Sequence, residues 1–341
     1  MKKASKGIRW ISFVMALFIF ITGCSQAEKE KDEQGSALEK VTVVLDWVPN
    51  TNHTGLYVAI EQGYFEEEEI QVDLIQPSQG GSADLIGAGQ GEFGISYQEE
   101  VTYARTAEEP LPIKAIAAII QNNTSGFASP VGKGIERPRD FEGKDYGGWG
   151  SPVEKSTIRA LMEKDDADVE KVGFVNIGTS DFFDGVENHV DFSWIYYGWD
   201  GVAAELRDYK INFIPLQQYE EALNFYTPLI ITNEALIEKD PDLIHRFLRA
   251  TSRGYEYAIE NPEKAAQHLL KNVPELDEEM VVASQLFLSK EYQADASRWG
   301  EMKEEIWKNY AVWMYDQGLL NDSLTAEKAF TNKFLPEEVK R

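Results

Sequence analysis

Val41-Thr42-Val43-Val44-Leu45-Asp46-Trp47-Val48-Pro49-Asn50-Thr51-Asn52-His53-Thr54-Gly55-Leu56-Tyr57-Val58-Ala59 is the stretch that decides the fold. Its first five residues are apolar or β-branched with hardly any polar alternation, the pattern of a strand buried on both faces. Asp46 to Asn50 ends that strand, and the spacing of Leu56, Ala59 and Ile60 predicts a helix over 55–62 that Gly63 closes. Ile70 to Ile75 then alternates as a second strand, Gly80, Gly81 and Ser82 open another helix, and Phe93-Gly94-Ile95-Ser96 forms a third strand. Continued through 113–120, this alternation predicts an α/β fold with a parallel or mixed sheet covered by helices.

A second unit is expected to start near Asn122 to Gly126, with strands at 145–148, 171–175 and 192–196. Beyond about Leu229 the spacing becomes helical, and helices are expected over 242–259, 263–271, 278–288 and 301–317. A folded part of about 300 residues is long for one core and suits two domains.

The N-terminus places the chain. Lys2, Lys3, Lys6 and Arg9 precede an apolar run and small residues before Cys24, the layout of an export signal over 1–23. That run is shorter than the roughly 20 residues a membrane-crossing helix requires. Ile21-Thr22-Gly23-Cys24 resembles the lipobox of bacterial lipoproteins, although leucine is usual where Ile21 stands. The resemblance implies that Cys24 bears a lipid and that the protein is extracytoplasmic, touching the cell membrane through its lipid alone, and the Glu-, Lys-, Gln- and Ser-rich stretch that completes 24–40 reads as a flexible tether. With no second cysteine there is no internal disulfide. Without residues 1–23 the formal charge moves from -25 to -29, because four positive charges and no negative ones are lost. Such a field repels polyanions, so nucleic acid is excluded as a partner.

Gly89-Gln90-Gly91-Glu92-Phe93-Gly94 matches a dinucleotide fingerprint but leads into a strand instead of opening a helix, so it reads as a turn. His53, His189, His245 and His268 have no spacing that suggests a shared metal, and no metal or cofactor is expected. Ser151-Pro152-Val153-Glu154 has the form of a capping box after Gly147, Gly148 and Gly150. Glu154 is therefore a cap that also stands as a candidate ligand contact. Trp47 and Tyr97 each follow a strand, and Trp194, Tyr196, Tyr197 and Trp199 crowd the end of a third. Ligands of open α/β sheets bind beyond the carboxyl ends of strands. Aromatic faces there suit a flat heterocycle, with Asp46, Asn50, Glu99 and Glu100 placed to read ring nitrogens and amino groups. The alternation around Trp194 marks that ring as core.

The opening motif from Asp46 to Ala59 resembles that of the thiamine-pyrimidine binding and synthase superfamily. The likeness extends through Gly63-Tyr64-Phe65, 91–96 and 191–197, and so from Val41 to about Asn261. Within the superfamily the chain is most similar to the lipoproteins of bacterial thiamine-salvage importers. The resemblance implies a type II periplasmic-binding-protein fold, two α/β lobes joined by two crossings with ligand in the cleft. Lobe 1 would comprise 41–123 and 229–341, and lobe 2 would comprise 124–228. It implies an aminopyrimidine ligand, N-formyl-4-amino-5-aminomethyl-2-methylpyrimidine, and as partners an ABC permease with its ATPase subunit. Trp47 with Tyr197 or Trp199 are the expected stacking faces, Asn50 and Glu99 or Glu100 the expected readers of the ring edge. His53 stands as a ligand or structural contact, and Tyr226 completes the candidates.

The superfamily's eukaryotic synthases, which build the pyrimidine from pyridoxal phosphate and a histidine of their own chain, are the enzymatic alternative. Their lysine and histidine match Ser96 and Glu100 here, and their cysteine-rich patch matches Leu223-Asn224-Phe225-Tyr226-Thr227. Loss of these groups implies a binding protein without catalysis. A structural or adhesive surface lipoprotein remains a third class.

Overall fold

The computed structural model describes residues 38–77, 81–178 and 180–337. The expected leader, Cys24, Gly80 and all but the last residues of the expected tether lie outside the described residues. Among the described residues, no helix is long and apolar enough to cross a membrane.

The strands of the described residues form two five-stranded sheets. The first runs in the order β2 (Ile70–Ile75), β1 (Glu39–Val44), β3 (Phe93–Ser96), β10 (Leu229–Asn233), β4 (Ile113–Ala118). The second runs β7 (Gly173–Asn176), β6 (Asp145–Gly148), β8 (Phe192–Tyr196), β5 (Ser125–Pro130), β9 (Ile211–Pro215). In the first sheet β1 pairs in parallel with β2 and β3, while β10 is antiparallel to both β3 and β4. The second sheet repeats this arrangement, with β6 parallel to β7 and β8 and with β5 antiparallel to β8 and β9.

This topology fixes where a ligand site can lie. The antiparallel strands, β5 and β10, are the first strands the chain forms after each passage between the sheets. They therefore start at the edge where the parallel strands end. Both passages, 119–124 and 216–228, leave from the carboxyl ends of β4 and β9 and bring the carboxyl edges of the two sheets together. The chain has the two-sheet α/β architecture of a type II periplasmic binding protein, with a cleft at the edges that carry ligand-binding loops.

Each sheet is covered by its own apolar residues. Phe93 of β3 stacks on Phe247 of the Pro241–Glu260 helix, with centroids 3.8 Å apart and planes 8° apart. In the second sheet Phe141 stacks on Phe192 at 4.2 Å, and Phe127 meets both edge-on. Fully burying one such ring is worth about 1.5–3 kcal/mol.

Several sequence expectations need correction. The chain after Leu229 opens with strand β10, whose Leu-Ile-Ile-Thr-Asn run is wholly buried between β3 and β4, before the helices begin. The strand expected at 171–175 starts at Gly173, because Val169–Lys171 is a 3-10 turn capped by Asp168. The Glu304–Asp316 helix does not serve the first sheet alone. Trp307 stacks on Phe330 at 5.6 Å within a cluster that includes Ile113 and Ile231, whereas Tyr310, Trp313 and Met314 join the cluster built on Phe127 and Phe192.

Candidate functional site

The turn that follows β1 is built from its own sequence. Asn50 caps the short Thr51–His53 turn, its Oδ1 accepting from the Asn52 N–H at 2.9 Å and its Nδ2 donating to the Val48 carbonyl at 2.9 Å. The Asn50 N–H donates to His53 Nδ1 at 3.2 Å, which leaves Nε2 to carry the proton and donate to Asp46 Oδ1 at 2.8 Å. His53 is fully buried and its imidazole orients Asp46, the structural role of the two expected for it. Asn50 likewise spends its amide on the turn, against its expected role as reader. Trp47 projects beyond this turn and is 56% exposed.

At the end of β3 the chain enters the Gln98–Thr106 helix, with Tyr97 extended at its N-cap position and 37% exposed. The two carboxylates of the first turn differ. Glu100 accepts from the Ser96 hydroxyl at 2.5 Å and from the Ala83 backbone, which ties it to the neighbouring helix. Glu99 faces the Tyr310 hydroxyl. Burial, then the Glu100 and Glu154 carboxylates, push the Glu99 carboxyl up to about 7. Glu100 is also raised, chiefly by burial and with help from Asp84 and Asp46.

On the second sheet, Glu154 is a clamp. One carboxylate oxygen accepts from the Tyr146 hydroxyl at 2.6 Å and the Trp149 N–H at 3.0 Å, the other from the Gly150 and Ser151 N–H groups at 2.7 Å each. A Cβ on Gly148 would lie 1.8 Å from its Oε1, so only glycine lets the carboxylate in. With four donors on a side chain only 2% exposed, Glu154 serves as a cap, and its acceptor capacity is spent on the chain itself. Glu154→Gln turns an amide NH₂ toward N–H donors and is expected to cost about 2 kcal/mol, since hydrogen bonds to a charged group contribute about 1.5–3 kcal/mol each. Urea denaturation reads this, and an unchanged midpoint would rule out the clamp. The loop it holds presents Trp149, 46% exposed and 5.6 Å from Trp194.

Strand parity sorts the aromatics of β8. Phe192, Trp194 and Tyr196 point to one face, so Trp194 packs on Phe127 and Tyr196 reaches past the sheet edge, 43% exposed. Tyr197 falls on the other side, in the π-helical turn Tyr197–Gly201. Its ring packs against Phe213 and Phe287 at 4.9 and 5.4 Å and its hydroxyl donates to Glu205. Trp199 is half-buried in that turn. Tyr197 thus joins the second sheet to the Glu278–Leu288 helix and is replaced by Tyr196 as the aromatic that faces the cleft. Tyr226 is buried, and its hydroxyl accepts from the Lys303 N–H at 2.8 Å while its ring lies near Trp307. It belongs to the core.

Tyr196 senses the opposite lip directly. It hydrogen-bonds Thr227 of the second crossing and feels the Glu99 and Asp46 carboxylates, and burial by the cleft walls pushes its hydroxyl up to about 12. Burial, Glu100, Glu99, Tyr196 and Asp46 likewise raise Tyr97. Among the described residues, no lysine or arginine is among the groups acting on Tyr97, Glu99, Glu100, Tyr196 or Tyr310. The candidate site therefore groups Asp46, Tyr97, Glu99 and Glu100 with Tyr196, Thr227 and Tyr310, and Trp47 and Trp149 stand exposed on the loops beside it. Among the described residues this chemistry is aromatic faces plus carboxylates, which accommodates a flat neutral or basic ring and disfavours an anion. Trp149 follows β6 and so falls under the same strand-end rule as Trp47. Tyr310 gave no sequence signal, since it reaches the cleft from a helix far along the chain.

The position matched by the synthase lysine is Ser96, fully buried and bonded to Glu100. At this position the chain therefore carries a hydroxyl bonded to a carboxylate. The fold is that of the aliphatic sulphonate binding protein SsuA of Escherichia coli, with a TM-score of 0.65 at 12% identity, covering 89% of this chain and 94% of that one. In sequence the chain is 29% identical over 339 residues to a formylaminopyrimidine-binding protein of Halalkalibacterium halodurans, covering 96% of this chain and 99% of the relative. It is 23% identical over 309 residues to a 4-amino-5-hydroxymethyl-2-methylpyrimidine phosphate synthase of Legionella pneumophila, covering 89% and 94%. The family described as NMT1/THI5 like matches residues 50–265, and the chain belongs to it.

Proposed function

We propose that this protein is the solute-binding lipoprotein of an ABC importer that captures N-formyl-4-amino-5-aminomethyl-2-methylpyrimidine and delivers it to the permease. The observation that carries this reading is the Glu99 carboxylate beside Tyr97 and Tyr196, with no lysine or arginine among the groups acting on them in the described residues. A carboxyl group complements an aminopyrimidine edge, and aromatic faces hold the ring. The relative in Halalkalibacterium halodurans, similar over nearly its whole length, supports the ligand class. An exported chain anchored through Cys24 suits delivery to a permease. Closure of the two lobes would have to come from contacts that the ligand makes better in the closed state, so that release remains open to the permease.

Purified native protein, denatured and examined by mass spectrometry for released small molecules, is expected to yield an aminopyrimidine. Recovery of a sulfonate, a nitrate or an amino acid would sink the assignment. The same electrostatics predict a ranking. The phosphate ester of 4-amino-5-hydroxymethyl-2-methylpyrimidine is expected to bind more than tenfold weaker than the free alcohol by calorimetry. Equal affinities would mean that the carboxylates do not govern the site.

A further inference from the structure

Glu99 differs from the other carboxylates of the cleft in what its oxygens meet. Asp46 accepts from His53, Glu100 from Ser96 and the Ala83 backbone, and Glu154 from four donors. Glu99 has the Tyr310 hydroxyl, which is fully buried and has no hydrogen bond of good geometry. The titratable groups around it are Glu100 and Tyr103 on its own helix, Tyr97 before it, Glu154 and Tyr196 from the second sheet's side, and Tyr310 from the 304–316 helix. All are acids or phenols. A ligand that approached with a bare lone pair would meet no cation among these groups, and the ionised carboxylates would oppose it.

The ring of a 4-aminopyrimidine offers both a remedy and a partner. Its amino group feeds electron density to the ring nitrogens, which makes them basic and makes the protonated ring an amidinium-like cation. We infer that, in the complex proposed above, Glu99 and a ring nitrogen share one proton, so that capture of the ligand draws a proton from solvent. The shared proton removes one negative charge from the cluster and joins ring and carboxylate in a charge-assisted hydrogen bond, the stronger kind. The Tyr310 hydroxyl then completes the second carboxylate oxygen. This inference rests on the aminopyrimidine reading and adds to it the protonation state of the complex.

The free carboxyl, pushed up to about 7, sets the pH window. Below about pH 6 Glu99 already carries its proton and binding takes up almost none, whereas near pH 8 it is mostly ionised and binding takes up nearly one. Affinity accordingly falls toward tenfold per pH unit above about pH 8. Calorimetry of the full chain with 4-amino-5-hydroxymethyl-2-methylpyrimidine, in phosphate and in Tris, measures the uptake from the difference in observed heat. The expected result is uptake that rises from near zero at pH 6 to near one at pH 8, and Glu99→Gln that binds with no buffer dependence. No uptake at pH 8, or release, overturns the inference. Uptake that persists in Glu99→Gln overturns it as well, because the proton then sits on Asp46 or Glu100. If neither this pyrimidine nor its N-formylaminomethyl analogue binds the wild-type chain, the ligand assignment itself falls, a result distinct from tight binding without proton uptake.

Discussion

Gly254→Ala is expected to destabilise the protein by about 3 kcal/mol or more, at the upper end of what overpacking costs. A Cβ at this position would lie 2.0 Å from the Gly55 carbonyl oxygen and 3.1 Å from the Ala59 Cβ. A carbonyl within a helix cannot rotate aside, so the 241–260 helix and the Thr54–Glu61 helix would have to separate. The approach is close from both sides, since a Cβ on Gly55 would enter the Tyr255 ring at 2.3 Å. The damage should reach the cleft. Tyr255 donates its hydroxyl to the Asn52 carbonyl at 2.7 Å, and Tyr292 donates to the Thr51 carbonyl at 2.6 Å. These bonds anchor the turn that carries Asp46 and Trp47. Urea denaturation should show the loss beside Gly132→Ala, where a Cβ meets nothing within 4 Å and the change should stay within about 0.5 kcal/mol. Equal midpoints for the two variants would contradict the close-packing argument.

The Gly55 contact illustrates what sequence could and could not deliver. The strand and helix flanking it were legible because burial writes a period into the chain, and β2, β3, β6 and β8 follow the expected ranges. β5 was not, because Ser-Gly-Phe-Ala-Ser-Pro has no β-branched residue and becomes a strand through pairing with β8 and β9. β10 was absorbed into the helical tail because a short apolar run has no period of its own. In the candidate site, the rule that ligands lie beyond strand ends is what points to these loops, while the environment of each side chain depends on partners that local sequence does not reveal. Asn50, His53 and Glu154 are polar residues of these loops whose hydrogen bonds are consumed in building them. One residue of register separates Tyr196, which faces the cleft, from Tyr197, which faces Phe287.

Glu99→Gln is expected to make the unliganded protein more stable, and by an amount that depends on pH. The Glu99 carboxyl titrates at about 7 in the folded chain and near its ordinary 4.5 when unfolded. Folding therefore favours the protonated form, and the wild type loses stability as pH rises from the unfolded value through the folded one. Each unit of displacement is worth about 1.4 kcal/mol, so the neutral glutamine should gain about 3 kcal/mol over wild type at pH 8 and under about 1 at pH 5. Melting curves of both proteins at the two pH values test this, and a gap that is equal at both, or reversed at pH 8, would refute it. The physical cause is that burial, Glu100 and Glu154 all oppose a second ionised carboxylate beside them. A charge kept where it weakens the fold is what a binding site shows when stability is traded for recognition. The same substitution should weaken aminopyrimidine binding above pH 6, because the amide cannot take the shared proton. Greater stability with poorer capture in one variant would separate this carboxylate from Glu154, whose replacement weakens the fold.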